Sequence, residues 1–384
     1  MKVPFFRLKL SSVEEREVMK VLRSGWVTTG PAVREFEDRV KKISGARYAV
    51  AVSSCTAGLH LALEALDIGP DDEVITTPFT MAATIEAILY CGATPIFADI
   101  DPITLNIDPN QIENKISSKT RAIIPVDIAG LPCDYDRLKK LARKDNLFII
   151  EDAAHSLGAE FRGNPVGSLV DMTAFSFYST KNITTGEGGM VVTNQKRIAD
   201  KIRRLSLHGM TSSGWKRYSG GGWKYDIIDL GYKYNLSDLA AGLGLGQLER
   251  FNAFREKREK LSERYFLGLQ DLKEYVELPR VDGKLRHAWH LFIIKIIPEK
   301  WKIGRDRIID ELESRGIGCG VHFIPIYHFS YFKKDLKLRR SNFPNTERSF
   351  RRVISLPFYF DLSFRQVDHV CAVMRDLVKK YGNI

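Results

Sequence analysis

Along the first half of the chain, short continuous apolar runs alternate with longer stretches in which apolar residues recur at helical spacing. The runs fall at 48–52, 73–77, 94–99, 121–126 and 147–150. Between them lie 59–66, a segment reaching Cys91 that Thr80 can cap, and 134–144. Strands alternating with helices in this way predict βαβ units and a mostly parallel sheet. The runs lack polar alternation, as strands covered on both faces do. Ahead of them, 12–24 predicts a helix with a Ser12–Glu15 capping box and a stop at Gly25, and 31–44 a second helix opened by Pro31 and ended by Gly45. Residues 174–178 predict a buried strand, followed by a turn and a second strand at 190–193. From 237 to 272 the pattern predicts one very long helix capped by Ser237. Its first part carries small residues suited to close helix packing (Ala240, Ala241, Gly242, Gly244, Gly246), and its later part is charged. Further strands are predicted at 289–297 and 320–325, with helices at 305–314 and 363–380. A long helix of this kind links domains, so two are expected, 1–250 and 251–384.

Composition narrows the class. With 44% hydrophobic residues the chain builds a substantial core. No apolar run reaches the roughly 18 residues that span a bilayer. The first residues reach charged positions without a cleavage-like site, so no signal peptide is read and a cytoplasmic location is expected. The net charge of +11 favours anionic partners, yet it is spread along the chain. No finger, RNP-like or basic-zipper pattern accompanies it, so an anionic small substrate is expected rather than nucleic acid. The 5 cysteines are widely spaced with no CxxC, which argues against a disulfide framework. His287 and His290 have no nearby cysteine to complete a ligand set, and no metal site is expected.

Three separated features carry candidate chemistry. SSCTAG at 53–58 lies between a strand and a helix, where free N–H groups and the Thr56 hydroxyl can hold a phosphate. Asp152 closes the apolar run at 147–150, where it faces solvent, caps the next turn, or holds a cationic nitrogen. His155 nearby fits equally a hydrogen-bonded histidine near the core. Lys181 follows the run at 174–178, either as a solvated lysine or as an amine kept neutral enough to form a Schiff base with an aldehyde. A phosphorylated aldehyde with a pyridine ring would use all three: the lysine binds the aldehyde, the aspartate keeps the ring nitrogen protonated, and the helix start anchors the phosphate. Freed in turnover, the lysine serves as general base.

Together with GWVTTGP at 25–31, SSCTAGL at 53–59, EDAAHSLGA at 151–159, SFYSTKNITTGEGG at 176–189 and GYKYNLSDLAAGLGLGQLER at 231–250, these features resemble the DegT/DnrJ/EryC1/StrS family of pyridoxal-phosphate-dependent sugar aminotransferases. The resemblance implies the aspartate-aminotransferase-type α/β fold (fold type I), with a large domain around a mostly parallel sheet and a smaller C-terminal α/β domain. It implies a homodimer with shared active sites. By motif position, Lys181 matches the lysine that binds pyridoxal 5'-phosphate and Asp152 the partner of the ring nitrogen. Thr56, Ala57 (through its backbone) and Ser176 match phosphate contacts, and His155 a side chain near the phenolic oxygen. Asn235 resembles the asparagine that the neighbouring subunit gives to the phosphate. In TTPFTMAAT at 76–84, Met81 stands where the family usually has an aromatic ring over the cofactor, and its thioether can pack on a ring face. A dehydrating branch of the family has histidine where Lys181 stands, so transamination is implied instead.

The resemblance further implies L-glutamate as amino donor and a nucleotide-linked 4-keto sugar as acceptor. VDIAGLPCDYD at 126–136, GVHFIPIYH at 320–328 and LPF at 356–358 are similar to members acting on UDP sugars, hence UDP-4-amino-sugar biosynthesis. His322 is a candidate for reaching the sugar or its diphosphate, or else orders its loop. Lys216 and Arg217 are candidates for meeting the diphosphate from the partner chain. Two other readings are open: an aminotransferase for another keto or aldehyde acceptor such as an inositol, and a non-catalytic cofactor-binding regulator.

Overall fold

The computed structural model describes residues 1–280 and 282–383. Two helices open the chain, α1 (Ser12–Ser24) and α2 (Pro31–Ser44), and β1 (Tyr48–Val52) runs straight into α3 (Cys55–Ala65). Then come β2 (Glu73–Thr76), α4 (Ala82–Tyr90), β3 (Thr94–Phe97), β4 (Thr120–Ile123), α5 (Tyr135–Asp145), β5 (Phe148–Asp152), β6 (Met172–Ser176), β7 (Gly189–Thr193) and α6 (Lys196–Leu205). The seven strands form one sheet in the order β1-β7-β6-β5-β4-β2-β3. Only β7 runs antiparallel to its neighbours. The expected mostly parallel sheet is therefore present. Its strands are buried almost throughout, and helices cover both faces, which accounts for their continuous apolar character. The carboxyl ends of β1, β2, β5 and β6 gather at one edge, where ligands of open α/β sheets bind.

The expected long helix is two helices, α7 (Asp238–Glu249) and α8 (Phe251–Leu269), followed by a 3-10 turn. The break falls at Arg250, whose ψ of 4° leaves the helical range. The Arg250 guanidinium there donates to Glu14 Oε1 at 2.9 Å and Ser11 Oγ at 3.1 Å, tying the joint to α1. The small residues of α7 allow the close packing their pattern suggested: a Cβ on Gly246 would lie 2.6 Å from the Cα of Glu14. Beyond α8, β8 (Val276–Glu277), β9 (Phe292–Ile296) and β10 (Val353–Leu356) form a second, antiparallel sheet. Its core centres on Tyr265, Phe292, Phe358 and Met374.

Other expectations move by small amounts for local reasons. The capping box of α1 is Ser11 with Glu14, one residue earlier than expected. Helix α3 begins at Cys55 because Ser54 caps it, accepting from Ala57 N–H. Thr80 does not cap α4; the cap position is Met81, and the Thr80 hydroxyl pairs with Thr84 instead. The strand expected at 289–297 starts only at Phe292, since Trp289 has a φ of 51°. The segment 320–325 contributes a single bridge, Gly320 to Ser355, rather than a strand.

Candidate active site

At the carboxyl edge of the large sheet lies a cavity of about 470 Å³. The turn β1–α3 brings Thr56 to it, β5 brings Asp152 and the next turn His155, and β6 brings Ser176 and then Lys181. Met81 and His322 complete its wall. Seven of the expected residues thus converge from distant parts of the chain.

Asp152 is buried and well bonded. Its Oδ2 accepts from Thr84 Oγ1 at 2.8 Å, and its Oδ1 from the Ala154 N–H at 3.2 Å. A carboxylate has no proton to give, so Thr84 is the donor and its own oxygen accepts from Thr80, also at 2.8 Å. Burial still pushes the carboxyl pKa up, against the lowering by these bonds and by Lys181. The protein groups around Asp152 therefore under-compensate this charge, and a cationic ring nitrogen beside it would supply what is missing. The preceding Glu151 is wholly buried. Burial, then the nearby Asp127 carboxylate, push its pKa well up. The Tyr135 hydroxyl lies between Asp127 and Glu151, and one hydroxyl proton cannot serve two ionised carboxylates.

Lys181 sits in the turn after β6, where its N–H donates to the Tyr178 carbonyl at 2.9 Å. Its residue surface is only partly buried, but the amine is enclosed by the cavity. Burial lowers its pKa to about 8, with Cys55 and Asp152 pulling the other way. At neutral pH a useful fraction is the free amine.

His155 packs against Phe323 with ring centroids 5.8 Å apart and against His290 at 4.3 Å. Burial first, then the Lys181 charge, hold it far below the usual histidine range, so the ring is neutral. Its buried Nδ1 has no partner among the described residues. His322 is oriented by Ser355 Oγ at 2.8 Å from its Nδ1 and by stacking on Phe5 at 5.7 Å. Burial lowers its pKa to about 4.

At the start of α3, Ser54 Oγ takes the Ala57 N–H at 3.0 Å and the Ser54 carbonyl takes that of Gly58 at 3.0 Å. The remaining first-turn N–H groups, those of Cys55 and Thr56, are the ones a helix start leaves unpaired. The Ala57 N–H is thus already engaged, and Ala57 is not in the cavity wall. Gly189 lies directly against this cap: a Cβ there would come within 2.4 Å of the Ser54 carbonyl carbon. Met81 stands exposed on the rim at 60%, whereas Phe79 is wholly buried and packs against Phe323, so Phe79 cannot take the stacking position. An unpaired imidazole nitrogen, an under-compensated carboxylate, a free amine and a helix start around one cavity fit pyridoxal 5'-phosphate.

Asn235 and Lys216 are not in this cavity. They line another, of about 380 Å³, beyond the end of β1, where Asn235 Nδ2 donates to Thr29 Oγ1 at 2.6 Å. The Arg217 guanidinium lies 4.2 Å over the Tyr225 ring. Sequence reasoning missed Thr80 and Thr84 behind Asp152, Cys55 beside it, and His290 and Phe5 in the wall. The i, i+4 spacing of the two threonines was the only available signal, and it gives no partner.

The family model described as the DegT/DnrJ/EryC1/StrS aminotransferase family matches residues 9–375. The spore coat polysaccharide biosynthesis protein SpsC of Bacillus subtilis is 43% identical over 379 residues, covering 98% of this chain and 97% of that protein. The putative sugar aminotransferase Spr1654 from Streptococcus pneumoniae, solved in its PMP form, is 33% identical with a TM-score of 0.93, covering 99% of this chain and 100% of that one. The structure of DesI in the presence of its TDP-sugar product is 32% identical with a TM-score of 0.87, covering 96% and 90%. With Lys181 and Asp152 lining one cavity at the sheet edge and a family match along nearly all its length, the chain belongs to the DegT/DnrJ/EryC1/StrS aminotransferase family.

Proposed function

We propose that this pyridoxal-phosphate-dependent enzyme moves an amino group from L-glutamate to a UDP-linked 4-keto sugar. The observation that carries the reading is the placement of Lys181 and Asp152 on one cavity with the start of α3. When bound, the cofactor supplies a carbonyl carbon for amine exchange and a ring that stores the electron pair between the two substrates. With the cofactor bound, Lys181 would hold its aldehyde carbon through Nζ and would be the base that moves the proton during the exchange. Asp152, held by Thr84 and Ala154, keeps the proton on the ring nitrogen. Cys55 and Thr56 N–H groups, with the Thr56 and Ser176 hydroxyls, take the phosphate. Neutral His155 would hydrogen-bond the cofactor's phenolic oxygen, and Met81 would cover its ring face. His322, aimed by Ser355, orients the sugar.

Asn235 and Lys216 serve the site of a second copy, with Arg217 beside them. What supports a homodimer is the position of Asn235 outside its own chain's cavity, together with the exposed apolar segment that follows Lys216. Tyr218 and Trp223 are each 80% exposed there, and Leu230 91%. Nucleotide-sugar specificity is supported by the TDP-sugar product of DesI, and a surface rich in cations suits a diphosphate. The test is incubation with ¹⁵N-glutamate and a panel of UDP- and dTDP-linked 4-keto sugars or a keto-inositol. A ¹⁵N-labelled UDP-amino sugar is expected. Label only in the inositol product, or none with any acceptor while glutamate is consumed, overturns the assignment.

A further inference from the structure

Away from this cavity, one cluster of metal-binding side chains stands out among the described residues. His60 and Glu64 lie four apart on α3 and so share a face, and Cys91 follows the last turn of α4 against that face. A donor atom of each, imidazole nitrogen, carboxylate oxygen and sulfur, all lie within 4.8 Å of one another. His60 and Cys91 are buried, at 4% and 8% exposure, with Glu64 at the solvent side.

The histidine carries the independent observation. Its Nε2 is buried and has no hydrogen-bond partner among the described residues, although Glu64 Oε1 is 3.4 Å away. On the opposite side of the ring, Nδ1 faces the Tyr234 hydroxyl at 3.4 Å. With Nδ1–H directed at that hydroxyl, Nε2 presents its lone pair to Glu64 and Cys91, which is how an outer partner orients a metal-bound imidazole. Tyr232 stacks on Tyr234 with centroids 5.0 Å apart and meets His60 edge-on at 4.7 Å, so the ring is held from two sides.

We propose that His60, Glu64 and Cys91 bind one divalent transition-metal ion of the zinc class, with solvent as fourth ligand. Sulfur, imidazole and a single carboxylate suit zinc or cobalt, not magnesium or calcium. Ligand atoms around a tetrahedral zinc at bonds of about 2.0–2.3 Å are roughly 3.3–3.8 Å apart. The His60–Glu64 pair already has that spacing, and Cys91 needs a shift of about 1 Å at most to reach it. Binding forms an Sγ–metal bond, and the thiol proton, now directed at the Ala87 carbonyl 3.5 Å away, leaves to solvent. The ion ties α3 to α4 one helical turn beyond Thr56, so it stiffens the helix whose start holds the phosphate. It takes no part in the transfer itself.

The test uses holoenzyme dialysed against chelator and titrated with Co²⁺. Expected are one ion per chain, the visible bands of tetrahedral cobalt with a thiolate charge-transfer band, and release of about one proton per ion. Cys91→Ser and His60→Gln should each weaken binding by at least about tenfold, and Cys91→Ser should abolish the charge-transfer band. Zn²⁺ should displace the cobalt and raise the melting temperature. Octahedral cobalt without a charge-transfer band, or binding indifferent to both variants, overturns the proposal. The charge-transfer band and proton release are read on the unaltered protein, so they decide the matter even where a variant fails to fold.

Discussion

Thr84→Val removes one oxygen from behind the proposed partner of the ring nitrogen and keeps the side-chain shape. Thr84 is fully buried and donates at 2.8 Å to Asp152, itself buried. A hydrogen bond to a charged group contributes about 1.5–3 kcal/mol, and leaving a buried charge short of a donor costs about the same. At about 1.36 kcal/mol per unit, the Asp152 pKa should climb by roughly one to two units. The proton shared with the ring nitrogen then moves toward the carboxylate, and the ring becomes a poorer electron sink. Thr80 also loses its acceptor, since its hydroxyl donates into the same chain. The assay is the stopped-flow change in cofactor absorbance on mixing with L-glutamate. The rate should fall by about tenfold or more, given the energy above. Thr84→Ser should recover most of it, because serine restores the donor. A valine variant that melts like the parent and reacts within about twofold of its rate would refute the positioning role of Thr84.

Other outcomes follow from the same geometry. Gly189→Ala sets a Cβ 2.4 Å from the Ser54 carbonyl carbon and 2.6 Å from Cys55 N, so the helix start must shift. Stability should drop by about 1–3 kcal/mol and cofactor retention on gel filtration should weaken; unchanged retention would contradict the crowding. On the proposed role of Lys181, cofactor loading onto apoprotein needs its free amine, whose pKa burial lowers to about 8. The loading rate should rise about tenfold per pH unit below that value and level off above it, whereas a rise continuing toward the ordinary lysine value of about 10.4 would show an unperturbed amine. Asp238→Ala removes the acceptor of three N–H groups at the start of α2, those of Gly30 at 2.7 Å, Val33 at 3.0 Å and Ala32 at 3.1 Å. Urea denaturation should show a loss of about 2–4 kcal/mol, and an unmoved midpoint would count against this cap.

Much of this architecture could be read from the chain because local and global signals agree. Apolar runs between capped helices gave the parallel sheet, and Asp152 and Ser176 close strands while Lys181 lies in the turn after one. The misplaced boundaries have local causes. Ser11 and Ser12 are adjacent and both can cap, and only the reach of Glu14 back to the Ser11 N–H decides between them. The break at Arg250 depends on Glu14, far away in sequence, so helical periodicity passes through it unmarked. The support behind Asp152 was illegible for the same reason. Thr84 precedes it by 68 positions, and a threonine in a helix carries no mark of the carboxylate it meets. His60, Glu64 and Cys91 likewise follow no ligand spacing, because β2 and α4 separate the cysteine from the other two.

The most direct test is the absorbance of the purified holoenzyme and of its Lys181→Ala variant before and after L-glutamate is added, with no acceptor present. The parent should show the band of lysine-bound cofactor, lose it with glutamate to the band of the aminated cofactor, and regain it with the keto sugar. The variant should hold cofactor yet fail to turn over. A parent band untouched by glutamate, or a variant that turns over normally while binding cofactor, would contradict the site built on Lys181 and Asp152.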